Sequence, residues 1–199
     1  MLRDVRSNVT DGLLGFATAT GDGLHIKIGV SPSVTEKPIT ILGSMGASTI
    51  KSKLGLSPLA GVPMGTRAGD IDTCVAQFIM NKYNMTADEC LTMLNKKSGV
   101  LALSNGVSSD FRDLEAGANK GDEACQLALD KFCYEVRKYI GAYAAALGGL
   151  DCLVFTAGVG ENGCTNRAAI CEGLEFLGVK LDPEKNNTRG KEAIISADD

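Results

Sequence analysis

The chain has 199 residues, 44% of them hydrophobic and 22% charged, with a formal net charge of −4. That is enough to bury a real core, as one domain of good size or two small ones, and the acidic balance excludes a general nucleic-acid binder, which needs a basic surface to neutralise phosphates. No apolar run is long enough to span a bilayer, and the N-terminus lacks the basic-then-apolar pattern of a secretory signal, so a cytoplasmic protein away from membranes is expected.

Residues 1–50 are rich in Gly, Ser and Thr and hold two candidate strands, "LHIKIGV" (24–30) and "PITILGS" (38–44), with a turn between them. "SMGAS" (44–48) follows as a small-residue turn. "LGLSPLAGVPMGTRAGDID" (54–72) is dense in Gly and Pro and reads as a long ordered loop, a kind of segment that tends to carry function. From Asp70 the pattern turns helical, with Ile71, Val75, Phe78, Ile79 and Lys82 at three- and four-residue steps. "TADECLTMLNKKSG" (86–99) carries its own start and stop: Thr86 as N-cap, Glu89 completing a capping box, Gly99 as the C-terminal signal.

Short apolar stretches and turns are expected over 101–122, and the longest helix from about Asp122 to Leu147. Leu129, Phe132, Val136, Ile140, Tyr143 and Leu147 form its apolar stripe. Leu153-Val154-Phe155 reads as a buried strand that stops in a Gly-rich turn, "GVGEN" (158–162), where Gly158 and Gly160 allow positive φ and close approach of a ligand to backbone. "NRAAICEGLEFLG" (166–178) reads as a helix ended by Gly178, and "EAIIS" (192–196) as a further strand. Strand, Gly turn, helix and strand make an α/β signature.

Four short elements carry candidate chemistry. Arg67 stands between glycines in "GTRAGD" (65–70), and arginine suits planar, multidentate recognition of phosphate or carboxylate. In "SSDFRD" (108–113), Asp110 can accept from ribose hydroxyls and Arg112 can approach phosphates; helix capping by Ser109 or Asp110 is the competing use. "GVGEN" is the third and "SMGAS" the fourth, weak by itself. Seven cysteines without CxxC spacing, with His25 as the single histidine, argue against zinc; Cys125 and Cys133 in a helical pattern and Cys152 at the start of a strand read as buried thiols, which fits a reducing cytoplasm. His25 lies inside a strand pattern, which argues against a catalytic role.

Together these motifs resemble the acetate kinase family, short-chain carboxylate kinases of the actin-like ATPase superfamily. The resemblance runs from "LGLSPLAGVPMGTRAGDID" through "NKKSG", "GVSSDFRD", "KYIGAYAAALGGLDCLVFTAGVGEN" and "GLEFLGVKLDPEKN" to "AIIS". It implies an α/β fold, an actin-like (ribonuclease H-like) lobe with a mixed sheet flanked by helices, and phosphoryl transfer between ATP and acetate with Mg2+. Carried over by position, it implies that Arg67 binds the phosphoryl group in flight and that Pro58 lines the pocket for the acetate methyl. It further implies that Asp110, Phe111 and Arg112 meet nucleotide together with Gly158, Val159, Gly160, Glu161 and Asn162. Partners implied are ATP or ADP, acetate, and either a second copy of the chain or a separate N-terminal lobe. Such a transfer depends on alignment and charge stabilisation and needs no side-chain nucleophile, which suits a sequence without a Ser–His or Cys–His constellation.

The chain also departs from the family. Its N-terminal lobe is not recognisable in residues 1–50, which form a divergent segment ahead of the family-like lobe at 51–199. "ILGSMGAS" (41–48) stands where a His-Leu-Gly-Asn-Gly phosphate turn is expected, and the chain ends before the glutamate that helps hold magnesium, so no metal ligand is assigned. A partial or split acetate kinase is therefore one expectation, with propionate kinase its close variant. A nucleotide-binding or interaction module without turnover is the alternative.

Overall fold

A computed structural model describes residues 25–29 and 59–198. The candidate strand 38–44, the turn 44–48 and Pro58 lie outside the described residues. The chain divides into two units, Leu54–Glu135 and a second one composed of Met1–Lys53 with Val136–Asp199.

In the unit Leu54–Glu135 the loop persists to Asp72, and helices follow: α1 (Thr73–Tyr83), α2 (Ala87–Lys96), α3 (Gly99–Leu103), α4 (Phe111–Ala118) and the first half of α5 (Glu123–Leu147). Most of them start where a side chain meets amides that have no intrahelical partner. Asp72 accepts from the Cys74 N–H at 2.8 Å, which puts the start of α1 at Thr73 rather than Asp70. Thr86 and Glu89 close the expected capping box on α2. Asp122 accepts from the N–H groups of Ala124 and Cys125 and so opens α5 where expected.

Two sequence expectations change here. Gly99 does not end α2, which stops at Lys96; it opens α3. Residues 99–118 hold two helices rather than short stretches and turns, because Asp110 caps a second start. Leu94, Val100, Leu114 and Phe132 are buried in this unit, and the Phe111 ring meets Phe132 edge-on at 4.6 Å. Helix α1 buries nothing: Val75, Phe78 and Tyr83 are exposed, and Lys82 lies over the last two rings.

In the other unit, β1 (His25–Gly29) pairs antiparallel with β2 (Cys152–Thr156), His25 opposite Thr156 and Gly29 opposite Cys152. The strand expected at 24–30 is thus present, while β2 is half-buried rather than buried. Chain order continues with α6 (Ala157–Asn162), α7 (Cys164–Cys171), a 3-10 turn (Glu175–Leu177) and α8 (Pro183–Asn186). The single helix expected over 166–178 is broken, because Glu172 takes ψ 123° and Gly173 takes φ +83°. The strand expected at 192–196 narrows to one bridge between Leu181 and Ser196, supported by Asp182 N–H to Ile195 O and Ala197 N–H to Lys180 O, both 2.9 Å. Its partner segment turns into α8 at Asp182-Pro183, a capped start with proline at the first helical position, so little extended chain remains to pair. Val136 and Ile140 of the second half of α5 are buried here, as are Ile170 and Leu174; Tyr143 and Leu147, also on the expected stripe, are half-buried. Among the described residues no helix is long and apolar enough to cross a membrane.

Candidate functional site

Arg67 sits on a loop whose backbone is fastened at almost every residue. Gly61 and Asp70 close its base: the Asp70 N–H donates to Gly61 O, and the Gly61 N–H to the Asp70 carboxylate, both at 2.8 Å. Inside, the Met64 N–H donates to Arg67 O at 3.0 Å and the Ala68 N–H to Leu94 O at 2.9 Å. The Thr66 hydroxyl donates to Asn95 O at 2.9 Å, tying the loop to the end of α2. The first amides of α3 complete the set, Ser98 to Thr66 O, Val100 to Met64 O and Leu101 to Gly65 O, at 2.9–3.0 Å. Amides that a helix start leaves without intrahelical partners are here taken up by the loop.

The guanidinium on that fixed backbone is barely engaged. Half-buried Arg67 touches the Met64 sulfur at 3.6 Å, and among the described residues no carboxylate pairs with it. An open cavity of about 550 Å³ beside it is lined by Thr66, Arg67 and one side of α2, including Asp88, Thr92, Asn95 and Lys96.

The second candidate segment lies in the same unit and meets the loop directly. A β-carbon placed on Gly65 would stand 3.0 Å from the Ser109 carbonyl oxygen. Just beyond, Asp110 caps α4 through the Arg112 N–H at 2.9 Å and also forks the Arg112 side chain, Nη2 to Oδ2 at 2.5 Å. Those hydrogen bonds from Arg112 hold the Asp110 carboxyl down at about 2. Asp110 therefore serves as the N-cap, the competing use weighed for it, and also pairs with Arg112. The Arg112 side chain is 88% exposed, free to change partners. Phe111 points the other way, onto Phe132.

The third segment belongs to the other unit, and it differs from the expected turn. "GVGEN" is the body of a short helix, α6, entered from β2 through Ala157 at φ +61°. The left-handed residue is thus an alanine, while Gly158 and Gly160 take helical geometry. Gly158 is exposed, and a β-carbon there would meet nothing within 4 Å, so room next to the backbone remains. Asn162 folds back to Gly158 O at 3.1 Å, Glu161 is exposed and Val159 half-buried.

Behind α6 stands a residue absent from the sequence reading. Arg167 is 3% exposed and gives all five of its N–H donors to oxygens: Asn186 Oδ1, Gly160 O, Glu161 O, Asn186 O and Thr188 O, at 2.6–2.9 Å. Asn186 in turn donates to Cys164 O at 2.9 Å. A signal existed, since Arg167 falls three residues before Ile170 on the buried stripe of α7, a position where a charge needs a reason. Burial pushes the Cys152 thiol up, and that of Cys171 to about 11, which disfavours the thiolate at both.

The acetokinase family model matches residues 40–199. The chain belongs to the acetokinase family. It is 59% identical over 146 residues to the acetate kinase of Treponema denticola, covering 73% of this chain and 36% of that one. With the acetate kinase of Bacteroides fragilis it shares 59% over 150 residues, 75% and 37% of the two chains. Its structure matches the crystal structure of Porphyromonas gingivalis acetate kinase with a TM-score of 0.70 at 48% identity, over 72% of this chain and 36% of that one. A propionate kinase from Francisella tularensis matches over 98% of the chain and 49% of its own at 28% identity, TM-score 0.67. The expected fold class stands: this acetokinase chain is α/β with the actin-like ATPase fold. It spans little more than a third of the acetate kinases it matches.

Proposed function

We propose that the chain is part of an acetate kinase that transfers a phosphoryl group between ATP and acetate, with Arg67 as its phosphoryl-binding side chain. The observation that carries this reading is the contrast at Arg67: a backbone held by the α2–α3 junction, and a guanidinium with no carboxylate partner among the described residues. In phosphoryl transfer the protein contributes alignment and charge on the equatorial oxygens, which asks for a planar cation in a preset place. Asp110, Phe111 and Arg112 and the residues Gly158–Asn162 are assigned to nucleotide, with the exposed Arg112 exchanging Asp110 for phosphate oxygen and the open face of Gly158 admitting adenosine or phosphate. Pro58 is assigned to the acetate methyl by the resemblance.

Mg2+ enters this reading with the nucleotide. Among the described residues no group of three or more His, Cys, Asp or Glu side chains converges on a possible metal position, so these residues do not form a cage of their own. Mg2+ commonly rides on phosphates with only one or two carboxylates. The resemblance assigns the rest of the phosphoryl-transfer site to a separate N-terminal lobe or to a second copy. All seven cysteines are free thiols, which supports a reducing cytoplasm.

The test is a hydroxamate assay for acetyl phosphate with the purified chain, ATP, acetate and Mg2+, beside calorimetric titration with ADP. Expected are weak ADP binding, no turnover approaching the roughly 1–100 per second of ordinary kinases, and turnover once a separately expressed N-terminal lobe is added. Binding that no added lobe converts to turnover would favour a nucleotide-binding module instead. A folded chain with neither ADP binding nor restored turnover would sink the proposal. A parallel arm with propionate decides between the two carboxylates.

A further inference from the structure

Gly99 lies under the Arg67 loop in a way that no side chain could. Its φ is +63°, and a β-carbon built on it would overlap the Met64 carbonyl oxygen while standing 2.7 Å from Arg67 O and 2.9 Å from Arg67 N. All three atoms are backbone, so none can swing aside as the end of a flexible side chain would. Gly99 itself is buried. On either side of it, Ser98 and Val100 give their N–H groups to Thr66 O and Met64 O, and Leu101 gives its N–H to Gly65 O.

We propose that Gly99 is a positioning residue for Arg67: the missing side chain is the seat on which the Arg67 peptide rests, and the flanking α3 amides clamp the loop to that seat. The proposal rests on the assignment of Arg67 to a phosphoryl group. Two demands meet at residue 99, a left-handed backbone and a close approach of another backbone, and only glycine meets both. A β-carbon there pushes the peptide of Arg67 outward without touching its guanidinium. Displacement of that order, about an ångström, is the kind that phosphoryl transfer tolerates poorly.

The fold supplies a matched control. Gly106 in the same unit also has positive φ, +84°, but a β-carbon there would meet nothing within 4 Å. Gly106→Ala therefore brings backbone strain alone, and Gly99→Ala brings strain plus displacement of the loop.

The experiment uses the full isotope-labelled chain, titrated with inorganic phosphate and followed at the Arg67 side-chain Nε–H signal. Tm and the Arg67 backbone amide shift are recorded for each variant. In the native chain the Arg67 Nε–H moves with phosphate. In Gly99→Ala the midpoint of that response weakens by about tenfold or more, the size of one lost charge-assisted contact, and the Arg67 amide shift changes. Gly106→Ala keeps the native midpoint even where its Tm falls. Should Gly99→Ala not fold, Thr66→Val serves. It removes only the hydroxyl bond to Asn95 O, keeps the side-chain shape, and is expected to weaken the midpoint in the same direction by a smaller factor. An unchanged midpoint in folded Gly99→Ala, or in Thr66→Val where that variant stands in, overturns the positioning role while leaving Arg67 as the anion ligand. A native Arg67 signal that ignores phosphate overturns the assignment of Arg67 itself, a different failure.

Discussion

Gly65 rests against Ser109, so closely that a β-carbon on Gly65 would stand 3.0 Å from the Ser109 carbonyl oxygen and 3.3 Å from its Cβ. The contact joins the Arg67 loop to the capped start of α4, two segments more than forty residues apart in sequence. Gly65→Ala forces one of them to give, and overpacking of this kind typically costs about 1–3 kcal/mol. The expected outcome is a lowered Tm together with amide shift changes at residues 108–112. Changes confined to the 61–70 loop would show that the two segments are not mechanically joined.

Asp110 yields a pH dependence whose sign follows from its shift. Hydrogen bonds from Arg112 lower its folded carboxyl from the ordinary aspartate range to about 2, so the contribution is present above the unfolded value and is lost as pH falls from about 4 toward 2. Asp110→Asn keeps a side chain that can cap α4 but removes the charge, so stability at pH 7 should fall toward the level the wild type keeps in acid, and the acid limb of the stability curve should flatten. Asp110→Ala removes the cap as well and should cost about 1 kcal/mol at neutral pH. Denaturant midpoints at pH 7 and pH 3 for the three proteins check this. Identical acid limbs in wild type and Asp110→Asn would mean the ion pair does not contribute in solution.

What the sequence made legible was whatever local chemistry decides. The Thr86–Glu89 capping box, the start of α5 at Asp122 and the strand at 25–29 follow from neighbours in the chain. What it hid depended on distant contacts. Gly99 looks like a helix stop until the Arg67 peptide is seen lying on it, thirty-two residues away in sequence. Gly158 and Gly160 suggested a left-handed turn, yet the left-handed residue is Ala157, because β2 must reverse into α6 one residue earlier. Gly173 broke a pattern that periodicity read as one helix.

Arg67→Lys separates a fork from a point charge. A lysine ammonium cannot present two parallel donors to a phosphoryl group. With the N-terminal lobe supplied, kcat should fall on the order of 10²–10³-fold, the range seen when one transition-state donor is lost, while KM for ATP changes little. Steady-state kinetics with varied ATP and acetate give both numbers. A rise in KM with unchanged kcat would move Arg67 from the transition state to simple binding.

Arg167 offers the strongest stability test, because the same guanidinium holds two stretches of backbone. Gly160 O and Glu161 O belong to the candidate nucleotide helix, Asn186 O to the last residue of α8 and Thr188 O to the segment just after it. Arg167→Met fills much of the volume but leaves four carbonyls and the Asn186 amide oxygen short of a donor in a buried place. Unsatisfied buried groups typically cost about 1–3 kcal/mol each before relaxation. Arg167→Lys can reach only some of these oxygens and should lie between. Hydrogen exchange adds the local readout: amides of 158–162 and 186–188 should lose protection together in Arg167→Met, ahead of the amides of β2. A loss of less than about 1 kcal/mol, within the range of an ordinary substitution, with protection at 158–162 unchanged, would mean that α6 is held by its packing on β2 and α7 and not by this arginine.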